Sequence, residues 1–338
     1  MKLFGEYKIK NMTLKNRIVM PPMCMYSADH KGMAKEFHRM HYGERAIGGV
    51  GLIILEATAV TPNGRISDND LGAWEDEQIE GLKTIADSCK AYGAKVAVQI
   101  NHAGRKCGAR EEELVAPSSL RFSEEYPQPR ELSKEEIKGI VSSFKEAARR
   151  VHEAGFDALE VHGAHGYLIS EFLSPLSNHR EDEYGGSLEN RTRFLKEVLE
   201  AIRTVWPEEK PILLRVSAYD YAEGGMEPEQ MVQIINSIKP YIDVVHVSSG
   251  AVVPVVPNTF PGYQIAFSEI IRKECDVPTI TVGLITRDEM VEEILANDRA
   301  DLVALGRELL RNPYWVLHTA YKNKVPMDFP RQYKRAFM

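Results

Sequence analysis

Short runs in which nearly every residue is apolar recur along the chain, separated by longer stretches whose apolar positions return every three or four residues. The runs fall at residues 17–20, 50–55, 95–100, 158–162, 211–216, 244–247, 279–282 and 302–305. Strands apolar throughout must be covered on both faces, as in a parallel sheet flanked by helices. The intervening stretches carry helix ends: Ser133-Lys134-Glu135-Glu136 reads as a capping box ahead of a run to Ala154, with Gly155 behind it. Further helices are predicted from Ser187 to about Trp206-Pro207, from Glu227-Pro228-Glu229, from Thr286-Arg287-Asp288-Glu289, and from near Glu75 to Tyr92-Gly93.

Eight βα units without a linker predict the α/β class, as a single (β/α)8 TIM barrel, a fold that typically takes about 250 residues. The chain has 338 residues, and the surplus falls in loops and termini. Long irregular stretches at 101–129, 163–186 and 218–225 all follow strand C-termini, the face where such barrels carry their sites. A doubly wound open sheet is the competing architecture, but no G-x-G-x-x-G follows the first strand.

Composition narrows the function classes. With 43% hydrophobic and 27% charged residues the chain is of globular type, and its net charge of -7 offers no broad basic surface for nucleic acid. No apolar run approaches the roughly 20 residues of a membrane span. The N-terminus lacks a secretory pattern, which makes the cytoplasm the expected location. Cys24, Cys89, Cys107 and Cys275 form no CxxC pair, so free thiols are expected and a zinc or iron–sulfur site is not.

The chemistry-bearing residues cluster at predicted strand ends. His162-Gly163-Ala164-His165-Gly166-Tyr167 places two imidazoles and a phenol after the fourth strand. A strand-end histidine satisfied by backbone is the plain reading. Metal binding is another, without a third local ligand. A third is hydrogen-bond donation to an anionic oxygen, with Tyr167 delivering a proton. Pro21-Pro22-Met23-Cys24-Met25-Tyr26 ends the first strand with a thiol and a phenol, groups that equally well fill core space. Gln99, at the end of the third strand, suits the edge of a heterocycle. Arg215, inside the apolar fifth strand, needs a counter-charge, either an anionic cofactor or a structural carboxylate. Gly283 and Gly306-Arg307 end strands seven and eight, where barrels of this type bind phosphate.

Together these motifs resemble the Old Yellow Enzyme family of FMN-dependent ene-reductases, and most closely its bacterial, thermophilic-like branch of NADPH dehydrogenases. The most specific segment is His179-Arg180-Glu181-Asp182-Glu183-Tyr184-Gly185-Gly186-Ser187-Leu188-Glu189-Asn190-Arg191. The resemblance implies that Pro21, Pro22, Met23, Cys24, Ala57, Gln99, Arg215, Gly283, Gly306 and Arg307 line FMN. Pro21 stands where several relatives carry a hydroxyl residue. It implies that His162 and His165 hold the substrate's carbonyl oxygen, that Tyr167 is the proton donor, and that Tyr26 faces substrate. The activity implied is reduction of the C=C bond of α,β-unsaturated aldehydes, ketones and related activated alkenes, by ping-pong hydride transfer from NADPH or NADH through the flavin. The tail from about residue 323, with Arg335, aligns with a segment that reaches a neighbouring subunit's site, which implies a homodimer or homotetramer with shared sites.

Two rivals remain at this point. A dienoyl-CoA reductase type would add an iron–sulfur cluster and further domains. A non-redox aldolase or isomerase on a phosphorylated sugar would use Arg307 for substrate phosphate.

Overall fold

The computed structural model of the chain describes residues 1–109 and 112–337. Eight parallel strands form its centre: β1 (Ile18–Met20), β2 (Leu52–Ala59), β3 (Lys95–Asn101), β4 (Ala158–Gly163), β5 (Ile212–Ser217), β6 (Val244–Ser248), β7 (Thr279–Thr281) and β8 (Leu302–Ala304). Each pairs with the next, and β8 pairs with β1, so the sheet closes into a barrel and the open-sheet alternative falls away. The returning helices are α1 (Glu36–Ile47), α2 (Ile79–Lys90), α3 (Lys134–Glu153), α4 (Leu188–Arg203), α5 (Pro228–Ile238), α6 (Ile265–Cys275), α7 (Asp288–Ala296) and α8 (Trp315–Lys322). Among the described residues, no helix is long and apolar enough to cross a membrane.

The helix ends follow their side chains. Ser133 Oγ accepts the Glu136 N–H at 3.3 Å while Glu136 returns a bond to the Ser133 N–H at 2.8 Å, a reciprocal cap for α3. Ser187 accepts from Asn190 N at 3.2 Å and starts α4. Two segments depart from expectation. The stretch 163–186, read as irregular, contains a short helix at Leu168–Leu173. Before β1 stands a hairpin, Tyr7–Ile9 paired antiparallel with Met12–Leu14, which no strand run announced.

That hairpin closes one end of the barrel. Ile9, Met12 and Leu14 join Leu52, Ile54, Ala97, Ala158, Leu213, Val244, Ile280 and Leu302 in one buried cluster inside the sheet. The alternate residues, among them Leu55, Val98, Leu159, Val161, Leu214 and Val245, belong to the larger core shared with the helices. This is why the strands read as apolar on both faces. Two residues further along the inward faces, apolar side chains give way to Gln99, Glu160, Arg215 and His246, all buried.

Candidate active site

The upper interior layer is held together at a carboxylate. Glu160 is buried; its Oε1 accepts from Gln99 Nε2 at 2.8 Å and its Oε2 bonds His246 Nδ1 at 2.8 Å. Arg215, in register with His162 on β4 and His246 on β6, stands beside this group. Its side chain is 8% exposed and its Nε has no hydrogen-bond partner. Burial lowers its pKa and the Glu160 charge partly offsets that. A guanidinium in this state is costly unless something else shares its charge. A structural ion pair is therefore an incomplete account of Arg215: the carboxylate nearby already has its own two partners, and at least one guanidinium nitrogen remains for an anionic guest.

The β4 segment supplies donors. His162 Nδ1 accepts the Ala164 N–H at 3.3 Å, which puts the ring proton of the neutral imidazole on Nε2. His165 Nε2 contacts Ser248 Oγ at 2.8 Å, and Ser248 Oγ accepts from Gln264 Nε2 at 3.2 Å. With Gln264 donating to it, Ser248 can give its own proton to His165 Nε2, and we assign the histidine the tautomer with its proton on Nδ1 on that basis. Burial first, then the nearby Arg215 charge, hold both imidazoles well below their ordinary pKa, so both are neutral donors near pH 7. The His162 ring lies edge-on to His165 at 5.2 Å and to Tyr167 at 5.0 Å between centroids. Burial raises the Tyr167 pKa, which keeps the phenol protonated. Two left-handed residues in succession, His165 and Gly166, turn the chain here; a Cβ on Gly166 would come within 2.2 Å of the Ala251 carbonyl oxygen. Among the described residues, no group of three potential ligands stands at the pair to hold a metal.

Across the same rim, β1 runs into buried Pro21 and Pro22, then half-buried Met23 and Cys24, then exposed Tyr26. Burial raises the Cys24 pKa, so it stays a thiol. Ala57 faces the interior because β2 is bulged: Leu55 pairs with Val98, and Ala57, not Glu56, pairs with Gln99. The extra residue shifts the inward phase from Glu56 to Ala57, three strands away from Arg215.

A cavity of about 340 Å³ runs from His165 and Arg215 to Gly283, Gly306 and Arg307, with Tyr263 and Gln264 on its wall. Gly283 has φ +125. A Cβ on Gly306 would meet nothing closer than 3.6 Å, so no neighbouring protein atom demands glycine there. Gly306 also begins a short helix, Gly306–Arg311, whose first N–H groups lack intrahelical acceptors. An unpaired cation at one end and a glycine-lined cradle at the other fit a phosphorylated aromatic cofactor. Arg335 is not brought to this site within its own chain. It lies exposed in the turn Lys334–Phe337, whose Phe337 stacks on Phe329 and packs on Tyr321 of α8.

Sequence reasoning passed over several residues of this site. Glu160 and His246 carry the same signal that singled out Arg215, a polar group inside an apolar strand. Ser248 and Gln264, which orient His165, had no such mark. Lys106 donates to the carbonyls of His165 (2.8 Å) and Ala251 (3.1 Å) and lies 5.1 Å from the Tyr167 ring centroid; burial lowers its pKa to about 8.

The barrel and the cradle at its strand ends fit a class: an oxidoreductase built on a phosphorylated ring cofactor. The chain belongs to the NADH:flavin oxidoreductase / NADH oxidase family, whose model matches residues 2–325, and FMN is accordingly its cofactor. It is 63% identical over 338 residues to an NADPH dehydrogenase of Clostridium acetobutylicum, covering 100% of both chains. It is 52% identical to an NADPH dehydrogenase of Geobacillus thermodenitrificans, covering 99% of this chain and 98% of that one. Among solved structures, morphinone reductase in complex with tetrahydroNAD is 28% identical with a TM-score of 0.81, over 98% of this chain and 93% of that chain. A 2-naphthoyl-CoA reductase superposes with a TM-score of 0.90 at 28% identity, but this chain spans only 52% of that longer one. These matches agree with the resemblance to Old Yellow Enzymes and set aside the phosphosugar aldolase or isomerase.

Proposed function

We propose that the protein is an NADPH-dependent ene-reductase that reduces the C=C bond of α,β-unsaturated aldehydes, ketones and related activated alkenes in a ping-pong cycle, reductant and alkene using the site in turn. The observation that carries this reading is the meeting of two neutral imidazole donors and a buried, protonated phenol beside an unpaired arginine. FMN, when bound, supplies the hydride-carrying ring.

In this reading Gln99 and Arg215 meet the polar edge of the flavin. Pro21, Pro22, Met23, Cys24 and Ala57 shelve its ring, and Gly283, Gly306 and Arg307 take the phosphate. His162 Nε2–H and His165 Nδ1–H bind the substrate oxygen and stabilise negative charge that grows there as the β-carbon gains hydride. Neutral donors suit this task, since they stay hydrogen-bonded to the oxygen without transferring a proton to it. Tyr167 donates its proton to the α-carbon. Tyr26 covers the substrate.

The same reading makes the assembly a homodimer or homotetramer in which Arg335 of a second copy completes each site. Supporting it, Phe37, Met40, Tyr92 and Leu310 are exposed around a surface hollow of about 750 Å³ that reaches Met25, next to Tyr26. The chain as a whole, residues 1–338, is then one FMN-binding barrel with a tail from about residue 323 that serves its neighbour.

The decisive experiment mixes the purified protein anaerobically with NADPH and then with cyclohexenone. Bleaching of the flavin absorbance by the first and its recovery on the second are expected. Bleaching without recovery would limit the protein to NADPH oxidation and overturn the alkene assignment.

A further inference from the structure

The groups hydrogen-bonded to the Glu56 carboxylate are donors. The bulge in β2 turns this residue out of the barrel and toward α1. Its Oε2 accepts the Met25 N–H at 2.7 Å, and the Tyr26 N–H also favours the ionised carboxylate. Tyr42 Oη donates to Oε1 at 3.1 Å while accepting the Glu56 N–H at 3.0 Å. His38 accepts the Lys35 N–H on Nδ1 at 3.0 Å, so its proton sits on Nε2, which lies 3.5 Å from Oε1 without forming a hydrogen bond to it. Burial lowers the pKa of His38 and keeps it neutral. The remaining titratable neighbours are the Cys24 and Tyr26 side chains of the turn and the buried carboxyl of Asp70.

The turn that Glu56 grips is strained. Tyr26 has φ +51, a left-handed conformation that costs a tyrosine about 1–2 kcal/mol and persists only where surrounding bonds enforce it. Cys24 and Tyr26 are the two members of this turn that, on the reading above, face flavin and substrate.

We propose that Glu56 is a positioning residue whose ionised carboxylate clamps the Cys24–Tyr26 turn against α1, and whose protonation releases it, so that the substrate side of the site changes with pH. A neutral carboxyl turns one oxygen into a donor: on Oε2 the O–H displaces the Met25 N–H, on Oε1 it takes the place of the Tyr42 donation, and in either case the negative charge that strengthens the bonds to the turn is gone. Burial, reinforced by the Asp70 charge, outweighs the donated bonds and pushes Glu56 up to about 7. The clamp is therefore complete above that pH and is lost as pH falls through it.

Hydrogen exchange by mass spectrometry on the FMN-loaded protein reads the clamp directly, through peptides covering Met25 and Tyr26, after correction for intrinsic rates. Protection there is expected to fall about tenfold between pH 8 and pH 6, the change in the ionised fraction for a midpoint near 7. Glu56→Gln should hold protection at the low level across the range, without pH dependence. Tyr42→Phe removes a donor from the charged carboxylate and should move the midpoint upward. Wild-type protection independent of pH overturns the proposal, as does a Glu56→Gln protein with the wild-type profile. Should Glu56→Gln fail to fold, an unmoved midpoint in Tyr42→Phe overturns it. The proposal rests on the ene-reductase reading only for its consequence. Exchange uses no substrate, so a flat profile leaves the reductase standing, and a flavin that NADPH cannot bleach leaves the clamp standing.

Discussion

The two ends of one barrel are filled by opposite chemistry. Leu213 and Arg215 sit two residues apart on β5 and face the same interior. Leu213 meets the hairpin residues and the lower apolar layer and is fully buried in contact with side chains of its own kind. Arg215 enters a layer of Gln99, Glu160 and His246 with a nitrogen left unpartnered. The lower end is complete as it stands and contributes stability; the upper end is incomplete without a guest and subtracts from it. Placing the polar layer on rigid strands, above a dry and close-packed floor, lets the protein hold costly groups in fixed positions.

Substitutions at the two ends should therefore fail differently. The largest effect is expected from Tyr167→Phe, which removes the proposed proton donor but keeps the ring against His162. Flavin reoxidation by cyclohexenone should slow by about 10²–10⁴-fold, the usual worth of a positioned acid, with flavin reduction by NADPH unchanged. Stopped-flow absorbance separates the two steps, and an equal fall in both would remove Tyr167 from the role.

Next, Arg215→Met should weaken FMN binding by about a hundredfold, in line with the 2–5 kcal/mol lost when one partner of a buried charge pair is truncated. The cofactor-free protein should melt no lower than the wild type, because the variant no longer buries an unpaired cation. Fluorescence titration with FMN and calorimetry of the apoprotein check both halves. An apoprotein markedly destabilised by this change would mean that Glu160 and Arg215 form a structural pair after all.

Leu213→Ala is the converse. It should cost about 3 kcal/mol of unfolding free energy, within the range for a fully buried leucine, while the folded protein keeps its FMN and its turnover. Denaturant unfolding gives the first quantity and flavin content the second. Loss of FMN at undiminished stability would show that the floor shapes the site, and the contrast between the two ends would break down.

Most of the framework was legible because burial on both faces leaves an unmistakable apolar run. All eight strands lie at their expected places, and β3 (Lys95–Asn101), β4, β6, β7 and β8 begin at the expected residue. Three features were hidden for identifiable reasons. The hairpin strands Tyr7–Ile9 and Met12–Leu14 have three residues each, too few for a period to register. The bulge at Glu56 is a matter of register, and nothing in Leu55-Glu56-Ala57 says which residue is extra. Ser248 and Gln264 act through a histidine from other strands and loops, so only three-dimensional proximity reveals them. Glu160 and His246 are a different case: the premise that a charged or polar side chain inside an apolar strand needs a partner applies to Ala158-Leu159-Glu160-Val161-His162 and Val244-Val245-His246 as fully as to Arg215. Pursued there, it leads to the bonded triad that leaves the arginine unpaired.

The finest test of the upper layer concerns a single proton. Ser248 Oγ is the group that bears on the His165 tautomer, because it accepts from Gln264 and can give its own proton to Nε2. Ser248→Ala removes that instruction without touching the imidazole. His165 is then free to carry its proton on Nε2, turned away from the oxygen it is proposed to hold, and His162 is left as the single fixed donor. Binding of para-substituted phenols, read from their charge-transfer absorbance with the flavin, should weaken by about fivefold, the equivalent of roughly 1 kcal/mol for one hydrogen bond. Ser248→Thr keeps the hydroxyl and should restore most of that loss. If both variants bound phenols as the wild type does, His165 would be selecting its tautomer without help from β6, and the donor set would consist of what β4 alone supplies.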